Sequence, residues 1–223
     1  MKHEGMKMLF PTDLKHIRMI EGLDNVDLRN LPQLYRADAE FSRSFNNASI
    51  DLILGHLPKH PEFKYVSIDS RTHLLMKGMY PCIPGWHCDD FYRASKDHQP
   101  NLESVLEEAP AIHYMVILGE NSRTEFLKKD IELPSPRELL EQFGDKKPFY
   151  LSYDETIDQI NPETILVEPK NLYSFGPLCF HRGQAATENG WRFFMRATFS
   201  NHREPKNEVR YQTQVYTMGR VSW

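Results

Sequence analysis

The spacing of hydrophobic positions divides this chain into a helical part and a β-rich part. In the first part, apolar residues recur at helical spacing, most clearly over 48–57, where Pro58 ends the pattern. Beyond it, the apolar stretches become short and rich in β-branched and aromatic residues, which is typical of strands. We therefore predict a mostly helical lead-in over residues 1–70, a β-rich core over 70–200 and a C-terminal extension over 201–223.

Seven or eight segments of the β-rich part have the composition of strands. The candidates are 72–83, 111–118, 123–127, 149–153, 164–167, 171–175, 181–187 and 191–200. One helix is predicted at 135–143, where Ser135 can act as the N-cap and Gly144 ends the pattern. Asn189 and Gly190, between the last two strands, predict a hairpin turn.

This order of elements indicates the fold class. The strands do not alternate with helices in a βαβ rhythm, which argues against a Rossmann-type sheet. The pattern favours a mainly β (α+β) fold, a β-sandwich or barrel with helices packed on one side. A length of 223 residues is compatible with one domain of ordinary size, and we expect a single domain over 1–223.

Charge and composition narrow the classes of partner and location that we expect. The 27 basic and 31 acidic residues nearly balance, so no bulk positive field attracts nucleic acid. No stretch of about eighteen apolar residues is present, and the N-terminal residues lack the long apolar run of a secretion signal. Three cysteines do not make a disulfide framework. We therefore expect a protein of the reducing cytoplasm that does not span a membrane.

His87, Asp89 and His181 are the candidate metal ligands and catalytic residues. Residues two apart on a strand face the same side, so His87 and Asp89 can both reach one ion. His181 begins a separate predicted strand and can approach that ion from across a barrel. Two imidazoles and one carboxylate form the facial set that holds non-haem Fe(II) and leaves positions open for a co-substrate and dioxygen. The alternative is a surface histidine beside an unrelated aspartate, but Gly85 and Trp86 lead into a sheltered run.

Arg192, Arg196 and Thr198 share one face of the last predicted strand. An arginine that projects into a barrel is costly unless it meets an anion, and its planar guanidinium matches a carboxylate. A dicarboxylate co-substrate needs such a partner for its far end, to which Thr198 can add a hydroxyl. In the alternative arrangement both arginines lie on the solvated outer face, and Trp191 and Phe193 belong to the opposite, core-facing side.

Three segments of the chain resemble the Fe(II)/2-oxoglutarate-dependent dioxygenase superfamily. The first is the His-x-Asp of His87 and Asp89. The second is the stretch 168–175, which resembles the proline-containing turn and apolar strand before the family's distal histidine. The third is His181 followed by Arg192, which is similar to the distal histidine and co-substrate arginine of the family.

The resemblance extends over residues 70–200 and differs from the family in one strand. Segment 122–126 is similar to a family strand that contains glycines, but it lacks them. Other members of the family use an arginine a few residues further on, so Arg196 with Thr198 competes with Arg192 for the co-substrate. We rank Arg192 first.

The resemblance implies a double-stranded β-helix, a cupin-like jelly-roll of eight strands with N-terminal helices buttressing one sheet. It implies an iron-dependent oxidoreductase, a hydroxylase that decarboxylates 2-oxoglutarate to succinate and CO₂ while it oxidises a C–H bond. The expected iron ligands are His87, Asp89 and His181. Further candidates for contact with the co-substrate, besides the two arginines, are Lys77, Tyr80 and Tyr114.

The substrate is the least determined part of this hypothesis. Near-neutral charge favours a small polar metabolite as partner over nucleic acid, although the tail 201–220 interleaves cations with tyrosines as nucleic-acid-binding segments do. Segment 90–110 has no strand pattern and is either a lid over the site or an ordinary surface connection. A cupin-type metal-dependent isomerase or epimerase and a non-catalytic binding module are the alternatives to an oxygenase.

Overall fold

The computed structural model describes residues 7–89, 92–93, 100–101, 111–135, 138–139, 141 and 149–217. These residues form a mainly β architecture with antiparallel sheets. The helices are α1 (Ala39–Arg43), α2 (Ala48–Gly55) and α3 (Phe149–Ile160), and a short 3-10 helix spans Leu28–Asn30. The strands are β1 (Lys7–Phe10), β2 (Lys15–Met19), β3 (Leu34–Tyr35), β4 (Tyr65–Leu75), β5 (Met79–Tyr80), β6 (Tyr92–Arg93), β7 (Pro100–Asn101), β8 (Ala111–Leu118), β9 (Thr124–Leu127), β10 (Ile131–Pro134), β11 (Thr164–Leu166), β12 (Asn171–Phe175), β13 (His181–Gly183), β14 (Gly190–Ser200), β15 (Glu208–Val209) and β16 (Tyr216–Thr217).

A five-stranded sheet in the order β2-β12-β8-β14-β4 is the larger of the two main sheets. Its longest pairing is that of β14 with β4 along their whole length, from Gly190 opposite Leu75 to Ser200 opposite Tyr65. On its other side β14 pairs with β8. Strand β4 therefore forms one edge of this sheet.

A smaller sheet in the order β11-β9-β13 lies across from the first. Its edge strand β13 is extended by one further pair, because His87 and His181 exchange two backbone hydrogen bonds of 3.0 and 2.9 Å. Apolar side chains of both sheets fill the space between them, namely Met115, Ile117, Phe126, Tyr173, Phe175 and Phe194. We call the faces that meet there the inner faces.

Helices cover the outer faces of the two sheets. Helix α2, capped by the Asn47 side chain, packs on the larger sheet through an apolar core that includes Ile50, Ile53, Phe193, Met195 and Phe199. Helix α3 packs over the smaller sheet through Tyr153 and Ile157, which lie four residues apart on one helix face. The predicted packing of N-terminal helices against one sheet is thus present in α2.

The prediction of a mostly helical lead-in is wrong for most of residues 7–70. Strands β1, β2 and β3 and the start of β4 lie there, and the α-helices are limited to α1 and α2. Strand β2 pairs with β12 at the edge of the larger sheet, and β1 pairs with β10. These strands are short, β2 is exposed at nearly every position, and each pairs with a partner far along the chain, so local pattern did not reveal them.

Two predicted strands differ from the structure. Segment 149–153 belongs to helix α3, since the spacing of Tyr153 and Ile157 outweighs the β propensity of its aromatic residues. The strand predicted at 72–83 ends at Leu75, because a turn with Gly78 at φ +88° separates β4 from β5. Strands 111–118 and 171–175 are confirmed with the predicted limits.

The hairpin predicted at Asn189 and Gly190 is also wrong. Strand β13 belongs to the smaller sheet and β14 to the larger one, so the chain crosses between sheets at this turn. Its backbone is held by other segments instead, through hydrogen bonds from Gln184 to Arg123 and from Thr187 to Asn121, each 2.8 Å long. Local turn chemistry predicted the bend, and tertiary pairing determined which strands it joins.

Two predicted segments lie partly outside the described residues. Within 135–143, Glu138, Leu139 and Glu141 are helical, and the Ser135 hydroxyl accepts the Glu138 N–H at 3.2 Å as a helix cap does. Within 90–110, the structure describes only the pairing of β6 with β7. Whether this segment acts as a lid stays a prediction.

The C-terminal extension follows the edge of the larger sheet. Strand β15 pairs with β3 and β16 pairs with β5. Between them the Thr213 hydroxyl donates to the Thr72 carbonyl of β4 at 3.0 Å. The extension therefore lies beside the edge strand that borders the inner faces.

Candidate metal centre

His87, Asp89 and His181 converge in the structure. One ligand atom from each lies within 4.8 Å of those of the other two, and His181 Nε2 is 3.2 Å from Asp89 Oδ2. The backbone pair between His87 and His181 brings the two imidazoles together, with ring centroids 4.6 Å apart. Residues far apart in sequence thus meet at one point, and the group has the donors and the spacing to hold a metal ion.

Backbone carbonyls orient both imidazoles. His87 Nδ1 donates to the Gly85 carbonyl at 2.9 Å, and His181 Nδ1 donates to the Cys179 carbonyl at 3.0 Å. A carbonyl only accepts, so Nδ1 carries a proton in each ring, and Nε2 is the nitrogen left to face the site. Burial and the neighbouring His181 lower the pKa of His87 to about 4. The His87 ring is therefore neutral at pH 7 and can present the nitrogen lone pair that a metal requires.

The surroundings of the two histidines restrict their movement. The His181 ring stacks on Phe126 at 5.1 Å and meets the edge of Phe175 at 5.3 Å. Gly85, at φ +113°, lies so close to Asp154 that an added Cβ would be 2.8 Å from its carboxylate. Asp154 also accepts the Trp86 N–H at 2.7 Å. This turn requires glycine, and it fixes the direction in which the chain enters the site.

Asp89 is ionised because a cation contacts it. Burial opposes ionisation, but the guanidinium of Arg196 and the imidazole of His181 outweigh it and hold the pKa of Asp89 well below its usual range. Arg196 Nη1 donates to Asp89 Oδ2, the oxygen that also faces His181. Arg196 is therefore a neighbour of the candidate ligands and orients one of them.

A second carboxylate holds Arg196 from behind. Asp69 of β4 is 5% exposed, and its Oδ2 lies 3.7 Å from Arg196 Nη2. The same carboxylate accepts from Arg203 at 2.8 Å and from Arg210 at 3.1 Å, both in the C-terminal extension. A continuous chain of charges thus connects Asp89, through Arg196 and Asp69, to the extension.

Arg192 is in a different environment from Arg196. It is 3% exposed on the inner face, and it donates to the Ser122 carbonyl at 2.9 Å and the Thr124 hydroxyl at 3.2 Å. None of the carboxylates in the described part of the chain pairs with it. Burial, together with repulsion from Arg71, lowers the pKa of Arg192 to about 10. A buried guanidinium without a carboxylate is expensive unless an anionic ligand meets it.

The other candidates for co-substrate contact lie apart from this group. Thr198 is on the inner face, where its hydroxyl is 3.0 Å from His113 Nδ1. Tyr114 is on the outer face of β8, in the core shared with α2, and its hydroxyl is 2.7 Å from His60 Nε2. Lys77 has its side chain exposed in the turn after β4, and Tyr80 lies in β5, paired with β16. The structure therefore brings Arg192, Arg196 and Thr198 to the inner face, but not Tyr114 or Lys77.

Sequence reasoning missed three residues of β4. Asp69, Arg71 and His73 alternate along that strand and lie opposite Arg196, Phe194 and Arg192 of β14. Charged residues at every second position of a strand-like segment are the signal that would have found them. The two arginines of the extension that contact Asp69 have no comparable signal.

Comparisons of the sequence with known proteins give no family assignment. A scan against models of protein families finds no match, and a search of curated proteins finds none either. Within the described ranges, no helix has the length and apolar character needed to cross a membrane.

Proposed function

We propose that this protein is an Fe(II)- and 2-oxoglutarate-dependent oxygenase. The observation that carries the proposal is the convergence of His87, Asp89 and His181 on an inner wall that also holds Arg192, a buried cation with no carboxylate partner among the described residues. A metal site on the same wall as a guanidinium without a carboxylate partner fits a co-substrate that chelates the metal with one end. The guanidinium would then hold the carboxylate at its other end.

The donor set fits iron. Two neutral imidazoles and one carboxylate suit a divalent ion such as Fe(II) and leave coordination positions free. When bound, Fe(II) supplies the oxygen chemistry in which 2-oxoglutarate is decarboxylated to succinate and CO₂ and a substrate C–H bond is hydroxylated. His87, Asp89 and His181 would hold it, and Arg196 would keep Asp89 ionised and oriented.

Arg192 is the proposed partner of the far carboxylate of 2-oxoglutarate. Its Nε and Nη2 are held by Ser122 and Thr124, so the planar group has one orientation. Such a fixed fork loses little conformational entropy when it binds a carboxylate. Arg196 is already engaged by Asp89 and Asp69, which supports ranking Arg192 first.

The strand order supports a double-stranded β-helix as the finer architecture. We number eight strands along the chain as β4, the short segment at His87, β8, β9, β11, β12, β13 and β14. The larger sheet then has the order one, eight, three, six, and the smaller sheet has the order two, seven, four, five. Winding one long antiparallel hairpin into a roll produces this order, as in jelly-roll proteins.

Anaerobic titration with Fe(II) and 2-oxoglutarate tests the proposal. We expect a weak visible charge-transfer band from the chelate in the wild type, and no band in His87→Ala or His181→Ala because the metal is lost. Arg192→Gln should retain the metal and weaken 2-oxoglutarate binding about 10- to 100-fold, the usual cost of a lost charge-assisted hydrogen bond. Arg18→Gln, an exposed site on β2, is the matched control.

Three results would contradict the proposal or its details. Metal binding without any 2-oxoglutarate band would remove the oxygenase assignment. Metal-dependent turnover in the absence of oxygen would favour the isomerase or epimerase alternative. If Arg196→Gln, and not Arg192→Gln, weakens the binding of 2-oxoglutarate while the metal is retained, the ranking of the two arginines is wrong.

A further inference from the structure

A second cation faces the interior without a described counter-ion. Arg71 lies on β4 between Asp69 and His73, opposite Phe194 of β14. Asp69 and His73 are buried and share the inner face with it. Among the described residues, Arg71 forms neither an ion pair nor a side-chain hydrogen bond, although it is only partly exposed.

The nearest charges increase the electrostatic cost of Arg71. Asp69 is occupied by Arg203 and Arg210 and lies 3.7 Å from Arg196, so its charge is already shared by three guanidinium groups. Arg71 is close enough to Arg192 and Arg210 to lower the pKa of both. Two cations that repel each other, without paired carboxylates, form a site that attracts anions.

His73 adds a polar group to the same place. It is 2% exposed, and neither ring nitrogen makes a hydrogen bond of good geometry to a described residue. Burial, then the charges of Arg192 and Arg71, lower the pKa of His73 to about 4, so the ring is neutral at pH 7. A neutral imidazole offers one donor and one acceptor to a ligand. The Gln214 backbone approaches the ring, but a single backbone group cannot satisfy both ring nitrogens, and a bound ligand would complete their hydrogen bonds.

We propose that Arg71, with His73 beside it, anchors an anionic group of the substrate, a carboxylate or a phosphate. The inference rests on the proposed function, in which Arg192 takes the far carboxylate of 2-oxoglutarate. Two anions, one for each arginine, account for both unpaired charges. The substrate is therefore a small molecule with an anionic group, which is a narrower class than the small polar metabolites expected from the sequence.

The positions of the two arginines fit two different ligands. Arg192 is buried and donates hydrogen bonds to Ser122 and Thr124, where strand β9 of the smaller sheet begins. Arg71 is on the edge strand β4, opposite Phe194, and is therefore two residues nearer the level of Arg196 than Arg192 is. It is partly exposed. Because Arg71 is partly exposed, a substrate can reach it while the co-substrate is already bound.

Calorimetric titration of anions into the protein with Mn(II) and saturating 2-oxoglutarate tests this assignment. Sulfate is the probe for a phosphate group and acetate the probe for a carboxylate, both at matched ionic strength because exposed charges are screened by salt. We expect at least one probe to bind the wild type and Arg71→Gln to weaken it about 10- to 100-fold. Arg71→Lys, which keeps the charge, should lose less affinity for the probe, and Arg18→Gln should bind the probe as the wild type does.

The affinity for 2-oxoglutarate separates this inference from the proposed function. Arg71→Gln should change it less than about threefold, whereas Arg192→Gln should weaken it at least about tenfold. If Arg71→Gln weakens the binding of 2-oxoglutarate as strongly as Arg192→Gln does, then Arg71 belongs to the co-substrate site and the inference is overturned. Failure of both probes to bind, or equal binding in Arg71→Gln and Arg18→Gln, overturns it too. If 2-oxoglutarate never binds but sulfate binding depends on Arg71, the oxygenase proposal fails and the anion site stands.

Discussion

The two faces of β14 are equally buried but differ in chemistry. The outer face, towards α2, is apolar and carries Phe193 and Met195, which are 0% and 2% exposed. The inner face carries Arg192 and Arg196, which are 3% and 7% exposed. Burying apolar surface stabilises the fold, whereas burying a guanidinium costs desolvation energy. The outer face therefore accounts for stability, and the inner face is best explained by binding.

The largest effect should come from the outer face. Phe193→Ala removes a fully buried ring from the core against α2, so we expect a loss of about 3–5 kcal/mol in the free energy of unfolding. Urea denaturation measures this loss. Trp191→Ala, on the same face but 37% exposed, is the control and should lose clearly less. Equal losses at the two positions would mean that the core does not depend on this face.

Asp69→Asn tests whether one charged residue of the inner side also contributes to stability. Its carboxylate compensates Arg203 and Arg210 and lies near Arg196, so its removal takes away a buried negative charge that three guanidinium groups share. We expect a loss of about 3 kcal/mol on urea denaturation, the low end for a broken buried pair, because Arg203 and Arg210 are partly exposed. The folded variant should also bind Mn(II) about tenfold more weakly, since Arg196 no longer orients Asp89 as firmly. Asp27→Asn, which breaks an exposed pair with Arg29, should change stability by less than about 1 kcal/mol. Unchanged metal affinity in Asp69→Asn would restrict Asp69 to a structural role.

Acid should destabilise the inner side through His73. Burial, with Arg192 and Arg71, lowers the pKa of His73 from an ordinary 6.5 to about 4, so between these values the unfolded chain binds a proton that the folded protein does not. Stability from this group is present above pH 6.5 and is lost as the pH falls towards 4, by up to about 3 kcal/mol. Denaturation at several pH values should show a steeper loss for the wild type than for His73→Gln. His202→Gln, at an exposed site, should behave as the wild type, and parallel pH curves for wild type and His73→Gln would contradict the prediction.

The smallest effect should come from Arg192. Arg192→Met replaces an unpaired buried cation by an apolar chain of similar length, and such changes are often neutral for stability. We expect the free energy of unfolding to stay within about 1 kcal/mol of the wild type, while 2-oxoglutarate binding is lost. A loss as large as that of Phe193→Ala would show that Arg192 is part of the structural framework, and the difference between the two faces would disappear.

Two of the candidate metal ligands, His87 and Asp89, could be predicted because their signal is local. His87 and Asp89 are two apart in an extended segment, and this spacing alone puts both on one side. The strands 111–118 and 171–175 were also predicted with their limits, since each is a continuous run of apolar, aromatic or β-branched residues. In these two strands a strong local pattern agrees with the structure.

The failures occurred where distant pairing determines structure. The apolar spacing before residue 70 suggested helices, but β2 is a strand because β12 offers it hydrogen bonds. The hairpin at Asn189 and Gly190 did not form because β13 and β14 each have partners elsewhere. A hydrophobic pattern over a few neighbouring residues does not specify which distant strand will pair with them.

The sequence by itself determined which chemical groups are present and which share a face of a strand, because these follow from residue type and from the period of two in a strand. Only the tertiary structure decided that His181 meets the other two ligands, that Asp69 collects arginines from the C-terminal extension, and that Arg192 remains without a described carboxylate. These contacts depend on sheet order and register between segments far apart in the chain, and no local periodicity specifies them.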